Sequence, residues 1–204
     1  MTPEAIWTVL GGVGEAPHRL GRFSGPLLII GGGRCAWDDI AKVDPWKGET
    51  MAVNDIGAHF HGRIRHWVTL HPEYMPGWRT YREKHLYGQG VPAMTHSNKM
   101  KDGVDVQWNV ENVGGTSGLF ACFIGLMLGY NEILLAGIPM DNTGHYFDAP
   151  QVRTDNEDKA VSQCWRWARD NIFAGRVQSL SGNTRTWLGS KSYAEAELIA
   201  GQDY

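Results

Sequence analysis

The sequence predicts an α/β fold, with one mostly parallel, twisted sheet covered by helices on both faces as in Rossmann-like proteins. Short apolar runs alternate with segments of helical period, and several of these runs end in glycine or in polar residues. Strands that alternate with helices in this way favour parallel pairing with right-handed crossovers. No internal repeat divides the 204 residues, so we expect one nucleotide-binding domain over residues 1–204.

The charge balance excludes some classes of partner. The chain has 19 basic and 22 acidic residues and a net charge of −3, so it has no general basic field for duplex nucleic acid. The longest uncharged apolar stretch, residues 119–128, is too short to span a bilayer, and no signal-peptide pattern is present. We therefore expect a cytoplasmic protein without a transmembrane segment. Its three cysteines are widely spaced and form no CxxC pair, which favours neither a disulfide framework nor a zinc cluster.

The two ends of the chain are predicted to lie outside the sheet. Residues 1–26 contain a short helix predicted over Pro3–Leu10, followed by an irregular stretch rich in glycine and proline. Residues 191–204 are polar and predict a flexible tail. We assign no chemistry to either segment.

The first strand is predicted at Leu27–Ile30, and it runs directly into three glycines. A helix is predicted to open at Trp37–Ile40 and to close before Pro45. A glycine turn between a strand and a helix lets the backbone approach a phosphate at the helix N-terminus. The spacing is not GxGxxG, however, and a tight connection explains the glycines equally well. The glycines in question are Gly31, Gly32 and Gly33.

Polar residues end the next two predicted strands. Thr50–Ile56 predicts a buried strand that carries Asn54 and Asp55 at its carboxyl end, either as a local turn or as ligand contacts. His66–His71 predicts the third strand, with a helix starting at residue 72. Four histidines lie within His59–His71, but they lack the i, i+4 pairing or nearby carboxylate typical of a catalytic zinc site. A locally cationic edge is the alternative that we favour there.

A surface helix and two further strands are predicted before the centre of the sequence. Residues 76–87 are amphipathic and charged, which predicts a helix over the sheet. Residues 91–96 predict a fourth strand, and apolar residues alternate over 104–108 like a half-exposed strand.

The segment from residue 113 to residue 147 is the most informative part of the sequence. It starts with a small-residue loop whose hydroxyls can cap the next helix and leave backbone N–H groups unpaired, which favours an anion or a nucleotide. Leu119–Leu128 predicts a buried helix ended by Gly129, and Ile133–Ala136 predicts a short buried strand. Asp141 and His145 follow that strand closely, where ligands bind in open α/β sheets. The loop residues are Thr116, Ser117 and Gly118.

The remainder of the chain predicts one helix and one strand. Residues 148–158 predict a polar loop beside the site. Residues 160–173 have apolar positions at helical spacing, and residues 176–180 predict the last strand. Ser181–Thr186 predicts a polar turn, although its donors, Arg185 included, could also meet a phosphate.

Three of these patterns, in this order, resemble a known family. They are Ile-Ile-Gly-Gly-Gly-Arg-Cys at 29–35, Val-Asn-Asp at 53–55, and Thr-Ser-Gly at 116–118 followed by an apolar helix and Leu-Gly-Tyr-Asn-Glu-Ile-Leu-Leu-Ala-Gly-Ile at 128–138. Together they are similar to bacterial sialyltransferases of the Campylobacter lipooligosaccharide type. They also resemble related phage, bacterial and archaeal proteins that include a 6-hydroxymethylpterin diphosphokinase.

The sequence departs from that family at the first and third patterns. Gly32 stands where the sialyltransferases have a loop Asn, and Cys35 where they have Ser. Residues 139–141 (Pro-Met-Asp) replace an Asp-aromatic pair.

The resemblance implies a transferase with a nucleotide-activated donor and a hydroxyl-bearing acceptor, most simply a sialyltransferase-like glycosyltransferase that displaces the nucleotide directly. We expect His145 to be the general base, because an imidazole titrates near neutral pH, although a surface histidine in a turn is the plain alternative. Asp141 would orient His145 or bind an acceptor hydroxyl, and Tyr146 and Arg185 are weaker phosphate candidates. The expected donor site comprises Gly31, Gly32, Gly33, Asn54, Asp55, Thr116, Ser117, Gly118 and Gly137.

No metal or other cofactor is required for this chemistry if protein donors stabilise the leaving group. The runner-up, pyrophosphoryl transfer to a small heterocycle, would need Mg²⁺, with Asp141, Asp55 or Asp38 as ligands. A nucleotide-binding protein without turnover is a third hypothesis. The sequence is also compatible with a homo-oligomer.

Overall fold

The computed structural model describes residues 1–85, 93–147 and 155–190, and it confirms the α/β fold. Seven strands form one sheet in the order β5-β4-β3-β2-β1-β6-β7, and every pairing of neighbouring strands is parallel. The strands are β1 (Pro26–Ile30), β2 (Glu49–Val53), β3 (His66–Val68), β4 (Met94–Ser97), β5 (Val106–Gln107), β6 (Glu132–Ala136) and β7 (Val177–Ser179).

Helices connect most of these strands, as parallel pairing requires. A 3₁₀ turn at Pro72–Tyr74 precedes the fourth helix, and a π-helical turn at Arg169–Phe173 follows the sixth. The helices are α1 (Pro3–Val9), α2 (Ala36–Ala41), α3 (Ile56–His59), α4 (Met75–Lys84), α5 (Ser117–Leu128), α6 (Asp155–Ala168) and α7 (Gly182–Leu188). In the described parts of the chain, no helix is long and apolar enough to cross a membrane.

The core lies on both faces of the sheet, with α5 at its centre. All twelve residues of α5 are buried, which confirms the predicted buried helix, and Gly129 ends it with a left-handed φ of 112°. The α5 face also includes side chains of α1 and α6, whereas side chains near α2, α3 and α4 form a separate cluster on the other face. A Cβ on Gly125 would lie 2.9 Å from Ile133 and Leu27, so this glycine lets α5 approach the sheet closely.

Two predicted strands end earlier than the sequence suggests. The strand predicted over Thr50–Ile56 stops at Val53, because Asn54 adopts a left-handed φ of 57° and α3 begins at Ile56. The strand predicted over His66–His71 stops at Val68. Both endings leave polar residues in loops at the carboxyl edge of the sheet.

The predicted polar turn at Ser181–Thr186 is wrong, because these residues belong to α7 and its N-cap. Thr184 is buried, and its hydroxyl donates to the backbone carbonyl of Ile138. The polar loop predicted at 148–158 is wrong for residues 155–158, which begin α6, and residues 148–154 lie outside the described part. The predicted tail at 191–204, the end of the helix at 76–87 and the start of the strand at 91–96 also fall outside it.

A buried chain of hydrogen bonds links β3, β4 and the start of β6. Trp108 donates its indole N–H to His96 Nδ1 (3.1 Å), His96 Nε2 bonds to His66 Nδ1 (3.0 Å), and His66 Nε2 bonds to the hydroxyl of Tyr130 (2.9 Å). Because an indole can only donate, the direction of every bond follows, and both histidines are neutral. Burial lowers the pKa of His66 to about 2 and that of His96 to about 3.

The strand order reverses at β1, which positions the ligand site. The chain extends the sheet from β1 through β2 to β5 on one side, and then returns to add β6 and β7 on the other side. In open α/β sheets, a crevice forms outside the carboxyl ends of the strands at such a reversal. The loops that follow β1 and β6 therefore form its walls.

Candidate functional site: a crevice at the strand reversal

A crevice of about 180 Å³ lies at this reversal and is lined by both predicted small-residue loops. The loops belong to segments that are more than eighty positions apart in the sequence, yet they face one space. Polar side chains from the loops after β2 and β6 complete the lining. The lining residues are Gly31, Gly32, Gly33, Val53, Asn54, Asp55, Thr116, Ser117, Gly118, Gly137, Ile138, Pro139, Met140, Asp141, Gly144 and His145.

The glycine loop after β1 is packed tightly against the loop after β6. The N–H groups of Gly31 and Gly33 donate to the carbonyls of Ala136 (2.9 Å) and Gly137 (2.8 Å). A Cβ on Gly31 or Gly33 would lie 2.5 Å from a neighbouring side chain, so both positions require glycine for packing. The N–H of Gly32 has no partner among the described residues. This N–H group is therefore free to donate to a ligand.

The N-terminus of α5 forms another wall of the crevice. The Thr116 side chain accepts the N–H of Leu119 (3.3 Å), which confirms the predicted cap. The Ser117 hydroxyl oxygen accepts the N–H of Leu70 (3.3 Å) and ties the helix start to the loop after β3. In the described part of the chain, the N–H groups of Ser117 and Gly118 have no acceptor. These donors and the positive end of a twelve-residue helix favour an anion at this wall.

Asn54 lines the crevice, and two hydrogen bonds hold it in place. Its side-chain carbonyl accepts the Thr69 hydroxyl (2.8 Å), and its backbone carbonyl accepts the Trp67 indole N–H (2.6 Å). The left-handed backbone of Asn54 is one that asparagine tolerates better than most residues. With its oxygen engaged, the side-chain NH₂ group is available to donate to a ligand.

Asp55, His145 and Tyr146 form a half-buried group beside the glycine loop. The Tyr146 hydroxyl donates to Asp55 Oδ2 (3.3 Å). Burial raises the pKa of Asp55, and the neighbouring His145 opposes that shift. Burial, together with Asp55, also raises the pKa of Tyr146. His145 Nδ1 is buried and has no hydrogen-bond partner among the described residues.

His145 also explains why Gly32 has no side chain. A Cβ on Gly32 would lie 3.1 Å from His145 Nδ1 and 3.5 Å from both Asp55 Oδ1 and Tyr146 Cε1. The space that an asparagine would need at this position is therefore occupied by the imidazole. Glycine at position 32 and the imidazole of His145 are therefore linked, because the imidazole fills the space that a side chain at position 32 would take.

Three predicted site residues have surroundings that the sequence did not indicate. Asp141 lines the crevice, but its Oδ1 accepts the N–H of Thr143 (3.0 Å), and no described hydrogen bond joins it to His145. The Tyr146 hydroxyl donates to Asp55. Arg185 is exposed on α7 and does not line the crevice. Asp55 interacts electrostatically with His145, and both lie near the position that a Cβ on Gly32 would take.

Sequence reasoning missed Asp39, which positions the end of β6. Asp39 is fully buried, and its Oδ2 accepts the N–H of Gly137 (3.0 Å) and the hydroxyl of Ser181. Burial disfavours its charge, but these bonds and a 2.8 Å ion pair with Lys42 hold its pKa below the usual value. The Lys42 partner three residues later on the helix was the available sequence signal.

The carboxylates considered for Mg²⁺ do not gather into one cluster. Asp55 and Asp141 both line the crevice, whereas Asp38 is exposed on α2. The described residues contain no group of three or more His, Cys, Asp or Glu side chains that could hold a metal ion.

The comparisons with known proteins agree with this architecture. No protein-family model matches the chain, and no curated protein matches its sequence. The sialyltransferase CstII from Campylobacter jejuni, solved with cytidine-5'-monophosphate, superposes with a TM-score of 0.56 at 13% identity, over 82% of this chain and 85% of that one.

Two further solved structures give the same result. A CST-II complex with CMP and a trisaccharide acceptor has a TM-score of 0.56 at 11% identity, covering 82% of this chain and 87% of that one. An α-2,3-sialyltransferase from C. jejuni in apo form has a TM-score of 0.55 at 15% identity, covering 82% and 80%. At these identities the likeness establishes a sialyltransferase-like fold.

Proposed function

We propose that this protein is a glycosyltransferase that transfers a sugar from a nucleotide-activated donor to a hydroxyl group, in the manner of sialyltransferases. One observation carries the proposal: two small-residue loops far apart in the sequence form adjoining walls of one crevice at the strand reversal. The solved sialyltransferases of the same fold include complexes with CMP, which makes a cytidine nucleotide the first donor to test.

The donor phosphate would lie between the two loops. The N–H groups of Gly32, Ser117 and Gly118 supply donors, and the positive end of α5 favours negative charge. As the sugar is transferred, the nucleotide leaves as an anion, and fixed donors at this position would stabilise that charge. The amide of Asn54, held by Thr69, would contact the donor from the side of β2.

His145 would be the general base. It lines the crevice, and because its Nδ1 is buried, we assign Nε2 as the nitrogen that meets the ligand. Removal of the acceptor proton by Nε2 allows the acceptor oxygen to attack the sugar while the bond to the nucleotide breaks. Asp141, on the rim, would bind an acceptor hydroxyl through the oxygen that Thr143 leaves open.

Exposed aromatic rings beside the crevice suit a sugar acceptor. Trp37 and Phe147 are 42% and 57% exposed, and each contacts Tyr146, at centroid distances of 5.8 and 4.9 Å. Both contacts are edge-to-face, with interplanar angles of 72° and 86°, so neighbouring rings are nearly perpendicular and do not form two parallel faces. A pyranose can pack its apolar face on one exposed ring, whereas a flat heterocycle would need two parallel rings to stack between. This arrangement therefore suits a sugar better.

A thermal-shift screen tests the proposal. Purified protein is heated with CMP, UDP, GDP, ATP and their sugar conjugates, each with and without Mg²⁺. A ligand present at 100 times its Kd should stabilise the native state by about 2.7 kcal/mol. We expect a shift with a cytidine nucleotide that does not depend on Mg²⁺. A shift only with ATP and Mg²⁺ would favour the pyrophosphoryl-transfer alternative, and no shift with any nucleotide would contradict both.

Turnover separates an enzyme from a binding protein. Release of free nucleotide from the donor that gives the largest thermal shift, in the presence of a panel of oligosaccharide acceptors, should rise with protein concentration. Binding without any release would favour the non-catalytic hypothesis.

A further inference from the structure

The unpartnered nitrogen of His145 points to a second residue in the same chemistry. The backbone around His145 is fixed, because it pairs with Gly33 and because the next N–H, that of Tyr146, donates to the carbonyl of Gly32 (3.0 Å). On this backbone the ring lies with Nδ1 buried. Buried polar atoms are almost always hydrogen-bonded, so an exception at a candidate base indicates a bond that forms in another state of the site.

Asp55 is the group best placed to form that bond. Its Oδ1 and His145 Nδ1 lie 3.5 and 3.1 Å from one point, the position that a Cβ on Gly32 would take. Because residue 32 has no side chain, nothing separates the carboxylate from the imidazole at that point. The other carboxylate oxygen, Oδ2, accepts the Tyr146 hydroxyl (3.3 Å), which leaves Oδ1 as the oxygen able to accept a further bond.

We propose that Asp55 is the positioning residue of His145, accepting a hydrogen bond from Nδ1–H when substrates occupy the crevice. This inference rests on the proposed function. With the proton on Nδ1, the lone pair of Nε2 faces the crevice and can accept the proton of the acceptor hydroxyl. The acceptor oxygen then bonds to the sugar carbon, the bond to the nucleotide breaks, and its electron pair leaves with the nucleotide. The resulting imidazolium faces a carboxylate.

Several titratable and charged groups lie around Asp55 and His145. Asp55 also interacts with His59 on α3, whose ring contacts Tyr146 at 5.9 Å. The other titratable and charged groups near His145 are Tyr146 beside it, Asp141 and Arg34 on the adjoining loops, and Tyr81 on α4 behind His59. Burial already works against the charge of Asp55, so an imidazolium opposite it stabilises both charged forms.

The experiment replaces Asp55 and follows His145 directly. Imidazole ¹⁵N and ¹H shifts of His145 are recorded without ligand and with saturating CMP in the parent, in Asp55→Asn and in Asp102→Asn, with the peaks assigned from His145→Gln. Asp102→Asn removes the same charge from an exposed position away from the crevice. Asp55 makes no side-chain cap to α3, so Asp55→Asn is expected to keep the fold, which a melting curve checks.

With CMP bound, the ¹⁵N shifts of His145 should place the proton on Nδ1 in the parent and in Asp102→Asn, whereas both tautomers should be populated in Asp55→Asn. The same tautomer in all three proteins would overturn the proposal. Where CMP does not bind, the ligand-free spectra give the same comparison, so this test can succeed even where the glycosyltransferase proposal fails.

Where turnover is found, the acid limb of the rate profile should move to lower pH in Asp55→Asn, and the plateau should fall about tenfold as the wrong tautomer becomes populated. A lower plateau without movement of the limb would indicate a structural role only and would count against the assignment.

Discussion

His145 and the pair His66 and His96 carry the same side chain in opposite surroundings. Both nitrogens of His66 and of His96 are bonded inside the core, and the donor-only indole of Trp108 fixes every proton. His145 stands at the crevice with one nitrogen buried and unpartnered among the described residues. A fully bonded buried network serves stability, whereas an imidazole with free nitrogens at a crevice is able to exchange a proton with a ligand.

The largest expected effect is a loss of turnover when the crevice histidine, His145, is replaced. His145→Ala should lower turnover by about 100-fold or more, because general base catalysis contributes at least that much in typical enzymes. The melting temperature of His145→Ala should stay close to that of the parent, since the His145 side chain makes no described hydrogen bond. Turnover within about threefold of the parent would exclude His145 as the base.

The core pair should instead control stability at low pH. Both folded-state pKa values are lowered far below the unfolded value of about 6.5, so the stabilising effect is complete above pH 6.5 and is lost as the pH falls toward 3. In that window the unfolded chain binds up to two more protons. These two groups should therefore reduce the free energy of unfolding by up to about 2.7 kcal/mol for each pH unit. Urea titrations between pH 7 and pH 4 measure this slope, and a flat profile would contradict the assigned tautomers.

A single hydroxyl tests the core network at neutral pH. Tyr130→Phe removes the acceptor of His66 Nε2–H and leaves a buried donor unpaired, which should cost about 1–3 kcal/mol of stability. Nucleotide binding and turnover at a temperature where the variant is folded should match the parent. A loss of turnover in Tyr130→Phe as large as that in His145→Ala would show that the core network and the crevice are coupled.

Glycine substitutions give the smallest and most local effect. Gly32→Ala places a methyl group 3.1 Å from His145 Nδ1 and should displace the ring, lowering turnover by about tenfold with little change in folding. Gly77→Ala is the matched control, because a Cβ there meets nothing within 4 Å, and in α4 it should add about 0.5–1 kcal/mol of stability. Equal turnover in both variants would mean that the space beside Gly32 is not functional.

The sequence predicted the frame of the molecule because apolar runs are local. Leu27–Ile30 and Ile133–Ala136 formed buried strands as expected, and the Thr116 cap preceded a helix that is apolar on all sides. The helix α7 was missed, since the run Gly182–Thr184 is typical of turns and its apolar partners, Trp187 and Leu188, come at its end.

The arrangement within the crevice depends on contacts between distant segments. Sequence alone left Gly31 and Gly33 equally compatible with phosphate contact and with a tight turn, and the structure shows that close packing requires both. No local pattern could indicate that Asp55 faces His145, because the two residues meet only through the parallel sheet order. The left-handed backbone of Asn54 could not be predicted from the local sequence either.

The central claim is that the two small-residue loops bind one nucleotide together. Backbone amide shifts recorded during a CMP titration test it most directly. The account predicts that the amides of Gly32, Ser117 and Gly118 move most and share one dissociation constant. Shifts confined to one loop, or centred on another surface of the protein, would contradict it.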